Sequence, residues 1–231
     1  MLDTHLFSMT KIKNNITKDV SVFFDGYAHD FSSIYKEDTK KRSTFDKLMD
    51  KWFRQAIKDR FDKTINETKK SSIKSVLDIG CGPGHFVVKF LEQEKKVTAL
   101  DIAPSMLEIT KKRVQAMGKE EEVTFILEDY LEHKPIKKFD AACVMGFFDY
   151  VEDPVSILKK LLQEVNQEIY ISIPGNKGFL AWQRKIRYNI RNCPLYLYSL
   201  ERLTQCLKDA GCYEISDIAE TERGYFVTIR K

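Results

Sequence analysis

Between residues 75 and 173 short apolar runs alternate with longer amphipathic stretches. Ser75 to Ile79, Val97 to Asp101, Val123 to Leu127, Phe139 to Met145 and Glu168 to Ile173 read as strands, separated by helices at His85 to Gln93, Pro104 to Met117 and Pro154 to Glu164. Strand and helix repeated at this spacing predict a doubly wound α/β fold, its sheet mostly parallel with right-handed crossovers. The rhythm changes after Leu200. A helix over Leu200 to Ala210, closed by Gly211, precedes two runs, Tyr213 to Ala219 and Tyr225 to Arg230. The short polar turn at Glu220 to Gly224 predicts that these two pair as an antiparallel hairpin. Ahead of the sheet, Phe45, Leu48, Met49, Trp52, Phe53 and Ala56 recur at helical spacing, the mark of a helix with one buried face.

Length adds one constraint. At 231 residues and 43% hydrophobic content the chain suits one α/β domain with an accessory segment. No apolar run reaches the roughly 18 residues of a membrane span and the start lacks the apolar core of a signal peptide, so a cytoplasmic protein is expected. The five cysteines include no C-x-x-C pair. Neither a disulfide framework nor a zinc site is suggested, and no metal is expected. Net charge is only +4, yet residues 175 to 200 hold five basic residues and no acid. That local excess suits an anionic partner.

The strongest chemical signal is VLDIGCGPGHF, residues 76 to 86. A β-branched run delivers Asp78 and then Gly80, Gly82 and Gly84 into the start of a helix. Glycines at these points let the backbone turn sharply and let a ligand approach the main chain. The G-x-G-x-x-G spacing of dinucleotide-binding turns would need glycine at 85, where His85 stands. An acid just before the turn also suits a cationic or amine-bearing ligand better than a phosphate.

The segment D-I-G-C-G-P-G resembles the first motif of class I S-adenosylmethionine-dependent methyltransferases, and the similarity extends over most of residues 75 to 230. The resemblance implies a Rossmann-like domain over 75 to 231 that takes S-adenosyl-L-methionine and releases S-adenosyl-L-homocysteine. Asp101, at the end of the second strand, then accepts from the ribose hydroxyls. Ile102 and Met106 pack on the adenine or ribose. Asp129, with Tyr130 beside it, takes the position that accepts from the adenine amino group. Met145 and Gly146 end the fourth strand near the methionine moiety. The segment FFDGYAHDFSSIY resembles a helical lid, so residues 1 to 74 are expected to cover the cofactor. Tyr27 and Tyr35 become candidates to touch the methionine moiety or the acceptor, and Arg42 to meet its carboxylate.

Methyl transfer from a sulfonium needs alignment and exclusion of water more than it needs a covalent nucleophile. Many relatives carry histidine after the fourth strand, where this chain reads MGFFDYVEDP. Asp149 is therefore the candidate base or substrate ligand, its alternative being the N-cap of a short turn. His85 and His133 read as packing or surface residues. Between the fifth strand and the last helix, at about 175 to 199, lies a stretch longer than a turn. Phe179, Leu180, Trp182, Ile186 and Ile190 suggest an amphipathic cap helix with Arg184, Lys185, Arg187 and Arg191 on its other faces. The expected partner is a small-molecule or saccharide acceptor, with methyl transfer to oxygen or nitrogen and a phosphate or carboxylate on the acceptor suiting the basic excess. An RNA or protein methyltransferase, and a non-catalytic methyltransferase-like subunit, are the rival readings. Low overall charge and the lack of a base-methylating motif weigh against nucleic acid.

Overall fold

The run SVLDI forms strand β1 (Ser75–Ile79), whose last four residues are buried because the strand is covered on both faces. Around it a computed structural model describes residues 58–178 and 193–231, with residues 20, 22, 181 and 185 besides. The expectations for Tyr27, Tyr35, Arg42, the stripe from Phe45 to Ala56 and most of the cap segment lie outside the described residues. Gly178, Ala181 and Lys185 are helical.

The other strands are β2 (Lys96–Asp101), β3 (Val123–Leu127), β4 (Phe139–Val144), β5 (Val165–Pro174), β6 (Ser216–Thr221) and β7 (Gly224–Arg230). They make a seven-stranded sheet in the order β3-β2-β1-β4-β5-β7-β6. β1 to β5 run parallel and β7 antiparallel to β5 and β6. The helices are α1 (58–67), α2 (His85–Glu92), α3 (Pro104–Gln115), α4 (Pro154–Glu164) and α5 (Leu200–Ala210).

Alternation along the strands splits the core in two. Leu77, Ile79, Ala142, Val144, Ile169 and Ile171 pack with Leu158, Leu161, Leu203 and Leu207 of α4 and α5. Val76, Ala141, Cys143, Tyr170 and Phe226 face the other way, onto Val87 and Phe90 of α2 and Leu107 and Val114 of α3. Each Val, Leu, Ile or Phe among them, taken fully out of water, contributes roughly 1.5–3 kcal/mol. α1 joins the second face: Phe61 stacks 4.7 Å from Phe86, and Gln93 Nε2 donates to the Ile65 carbonyl at 2.8 Å. Lys95 Nζ donates to the Ile73 and Lys70 carbonyls at 2.6 and 3.0 Å, fastening the link from α1 to β1.

Helix starts follow local chemistry. Pro104 and Pro154 open α3 and α4, Asp153 caps α4 by accepting from Ser156 N at 3.1 Å, and Ser199 caps α5 by accepting from Arg202 N at 3.2 Å. Several boundaries differ from expectation by one to three residues, and three of these differences have a clear physical origin. β5 starts at Val165, three residues early, because α4 runs into it with no intervening loop. Tyr213–Ile215 is a 3-10 turn held by Ile215 N donating to Cys212 O, so β6 starts only at Ser216. β4 stops at Val144, leaving Met145 in the loop beyond it.

Candidate functional site

β1 pairs with β2 on one side and β4 on the other. The chain leaves β1 for the α2 face and leaves β4 for the α4 face, so the two exits diverge and a crevice opens at the carboxyl ends of the strands. Asp78, the turn 80–84, Asp101 and the loop after β4 border it.

The turn is built onto the end of β2. Gly80 N and Cys81 N both donate to Leu100 O, at 2.8 and 3.1 Å. Asp101 Oδ2 accepts from Gly82 N at 2.7 Å and Oδ1 from Ala103 N at 2.9 Å. From α3, Thr110 Oγ1 donates to Gly82 O at 2.8 Å. Gly84 sits at φ +78°, and a Cβ there would lie 2.5 Å from Thr110 Cγ2, so both backbone and space demand glycine. A Cβ on Gly82 would meet nothing within 4 Å, which marks open space on that side of the turn.

Asp78 is 1% exposed. Burial pushes its carboxyl up to about 8, the Cys143 thiol hydrogen bond opposes that rise, and the Asp101 charge adds to it. Its Oδ2 has no hydrogen-bond partner among the described residues. A buried acid with an unpartnered oxygen is costly, and a cationic amine would satisfy it.

Other expected site residues divide. Asp129 sits just past β3, half-buried, with Oδ1 accepting from Leu131 N at 2.9 Å. Glu128 N donates to Asp101 O at 3.2 Å, which ties the ends of β2 and β3 together. The Tyr130 side chain turns into the core, where its hydroxyl donates to Glu164 at 2.9 Å. Met106 is buried beside Ala103 and Ile109, whereas Ile102 is half-exposed. Met145 is half-buried, and Thr64 Oγ1 approaches its sulfur at 4.0 Å. Asp149 lies inside the 3-10 turn Phe148–Tyr150 instead of capping it, 4% exposed, and its carbonyl accepts from Tyr196 N at 2.8 Å. His85 is packed against Arg113, 3.0 Å away, and burial followed by that cation pushes its pKa down to about 4. His133 Nδ1 lies 3.0 Å from Glu128.

Sequence reading missed several residues at this crevice. Arg60 Nη1 of α1 donates to Ser172 Oγ of β5 at 3.2 Å, and the same oxygen accepts from Gly146 N at 2.8 Å. Arg60 thereby stands at the ends of β4 and β5, 112 residues away in sequence from its partner. Phe147 lies under the turn, 3.2 Å from where a Gly80 Cβ would be. Among the described residues no group of three or more His, Cys, Asp or Glu is gathered to hold a metal ion, and no helix is long and apolar enough to cross a membrane.

Comparisons with known proteins agree with this geometry. Residues 76–167 match a family described as a methyltransferase domain. A malonyl-[acyl-carrier protein] O-methyltransferase of Ilyobacter polytropus is 30% identical over 132 residues, 55% of this chain and 47% of the relative. A ubiquinone biosynthesis O-methyltransferase of Salmonella paratyphi A is 30% identical over 109 residues, 46% of this chain and 44% of the relative. The chain thus spans about half the length of these curated relatives. Magnesium protoporphyrin IX methyltransferase from Synechocystis, crystallised with S-adenosylhomocysteine, superposes at a TM-score of 0.70 with 16% identity, over 94% of this chain and all of that one. Residues 76–167 are thus similar to a methyltransferase domain, and the chain shares the fold of a solved methyltransferase.

Proposed function

We propose that this protein transfers a methyl group from S-adenosylmethionine to an oxygen or nitrogen of a small-molecule acceptor. The observation that carries this reading is Asp101: its carboxylate is clamped by Gly82 N and Ala103 N on a glycine turn that has open space at Gly82. Asp101 would accept from the ribose hydroxyls, Asp129 from the adenine amino group, and Asp78 would receive the ammonium, with the Met145 main chain alongside. Ile102 borders the nucleoside; Met106 supports it from the core. Arg60 is a described cation at the methionine end and suits a carboxylate there, the role the sequence suggested for Arg42. Tyr27 and Tyr35 remain proposed lid contacts.

Bound there, the cofactor supplies an electrophilic methyl on a sulfonium. The protein's own part is alignment: a turn fixed by Thr110 and Asp101, and a loop after β4 fixed by Ser172 Oγ at Gly146 and by Tyr196 N at Asp149. Asp149 is the acid proposed on the acceptor side. Relatives named for malonyl-[acyl-carrier protein], ubiquinone biosynthesis and, among solved structures, 1,6-didemethyltoxoflavin support a small or carrier-borne acceptor.

Calorimetric titration with S-adenosylmethionine and S-adenosylhomocysteine, with NAD as control, tests the cofactor. Saturable binding of the first two alone is expected; binding of NAD, or of none, overturns the reading. Formation of S-adenosylhomocysteine with an acceptor panel then separates an enzyme from a subunit that only binds. Asp101→Ala is expected to weaken S-adenosylhomocysteine binding by about 1–3 kcal/mol, the worth of paired hydrogen bonds to a charged acceptor. Unchanged affinity in the same titration would remove the ribose assignment. Arg60→Met is expected to weaken S-adenosylhomocysteine about tenfold while leaving 5′-methylthioadenosine, which has no carboxylate, unaffected. Equal losses for both ligands would show that Arg60 only packs.

A further inference from the structure

Residues 128–138 carry the chain from the end of β3 to the start of β4 without a helix. Parallel crossovers are usually covered by a helix packed on the sheet, so something else must hold this one, and α4 supplies it. Lys160 Nζ donates to His133 O at 2.5 Å and to Glu164 Oε1 at 2.6 Å, and lies 5.1 Å over the Tyr130 ring. The Tyr130 hydroxyl donates to Glu164 Oε2 at 2.9 Å, so both oxygens of that carboxylate are engaged. Tyr130 is 1% and Glu164 9% exposed, so solvent screens these contacts less than it would a surface ion pair.

The cluster acts on the residue next to Asp129. Tyr130 is held on one side by α4 and on the other meets the Phe147 ring edge-on at 6.5 Å, while Phe147 lies under Gly80. Beyond it, Glu132 N and His133 N donate to Asp129 O at 3.0 and 3.1 Å, and Lys160 holds His133 from below. Before it, Glu128 N is fixed to Asp101 O. Asp129 therefore sits between two anchors, one set by the strand that carries Asp101 and one set by α4.

We propose that Lys160, Glu164 and Tyr130 form a positioning cluster that holds Asp129 to read the exocyclic amino group of the cofactor's purine, so that α4 sets base selectivity from behind the site. This rests on the reading of Asp129 given above. Here a carboxylate that only accepts hydrogen bonds favours an amino group over a carbonyl oxygen, and its discrimination depends on being held within a few tenths of an ångström.

The test uses the full chain and two ligands, S-adenosylhomocysteine and S-inosylhomocysteine, in which a carbonyl replaces the amino group. The wild type is expected to prefer the first, and Asp129→Asn to lose that preference. Lys160→Met is expected to weaken S-adenosylhomocysteine roughly tenfold, the worth of about one hydrogen bond, while S-inosylhomocysteine stays within about twofold. Lys160→Arg, which keeps a cation over Tyr130, is expected to restore the preference, and Tyr130→Phe to lower it as Lys160→Met does. A Lys160→Met protein that keeps wild-type selectivity, or weakens both ligands equally, overturns the inference while the cofactor reading stands. A wild type that binds neither ligand overturns both, and an Asp129→Asn protein of unchanged selectivity overturns the role of Asp129 on which the cluster acts.

Discussion

Asp78→Asn is expected to make the ligand-free protein more stable than the wild type at pH 8, and no more stable at pH 4. The Asp78 carboxyl is 1% exposed with one oxygen unpartnered, and burial lifts its pKa from 3.8 to about 8. Across that window the folded state keeps a proton that the unfolded state has released. The stability this group contributes is therefore fully present below about pH 4 and lost as pH rises toward 8, by up to about 1.4 kcal/mol per pH unit. Asparagine removes the titration and flattens the profile. Chemical denaturation at pH 4, 6 and 8 reads the effect, and parallel curves for the two proteins would show that Asp78 is not held protonated. The same proton serves as a reporter of binding. If the cofactor's ammonium satisfies Asp78, S-adenosylhomocysteine binding at pH 7 should release about one proton from the wild type and none from Asp78→Asn. Calorimetry in buffers of different ionisation enthalpy counts it, and no release would place the ammonium elsewhere.

The largest loss of stability is expected from Gly224→Ala, far from any motif. Gly224 opens β7 at φ +143°, and a Cβ there would lie 2.1 Å from Ile173 O and 2.2 Å from Gly175 N. Both neighbours are main-chain atoms of the segment it pairs with, since Pro174 is opposite Gly224. Neither can turn away as a side chain could. Relief requires separating β7 from β5 where Gly175 N donates to Arg223 O and Tyr198 N to Pro174 O. A cost of about 3 kcal/mol or more is expected in denaturant unfolding; a loss under about 1 kcal/mol would mean the hairpin shifts freely. Segment 193–198 leans on the same corner and holds Asp149 through Tyr196 N, so turnover should fall along with stability.

Much of this architecture is legible in the sequence because the sheet is doubly covered. Ser75–Ile79 is bounded where burial and turn residues coincide, and Val123–Leu127, none of it buried, is bounded by the acids Glu120–Glu122 and Glu128–Asp129; those signals are local. Gly80, Gly82, Gly84 and Asp101 stand out for the same reason, since their spacing alone encodes a turn and the acid beside it. The start of β5 was hidden: Asn166 and Gln167 look like loop residues because they fall in the irregularity between the Phe139–Val165 and Ala141–Glu168 pairs, where Lys231 N donates to Gln167 O. Tyr213 and Ile215 look like strand residues but are 37% and 41% exposed on a 3-10 turn. Arg60, Ser172, Thr110 and Phe147 carry no motif. They reach the crevice through contacts between elements distant in sequence, and only the folded chain brings them together. Tyr130 shows the opposite limit, for its place beside Asp129 was visible, but not that its ring turns into the core.

The position of β7 has a consequence for how the chain is made. β5 is the deepest strand of its half of the sheet, buried over its last six residues, and its second neighbour is antiparallel β7, with Pro174 opposite Gly224. On a ribosome adding roughly 5–20 residues per second, β5 would wait about 3–10 s as an open apolar edge before β7 could be added. Such an edge is a template for pairing between chains. Expression should therefore be limited by aggregation of the nascent protein more than by the stability of the finished one, and slower synthesis of the 175–223 stretch should worsen the yield of folded protein.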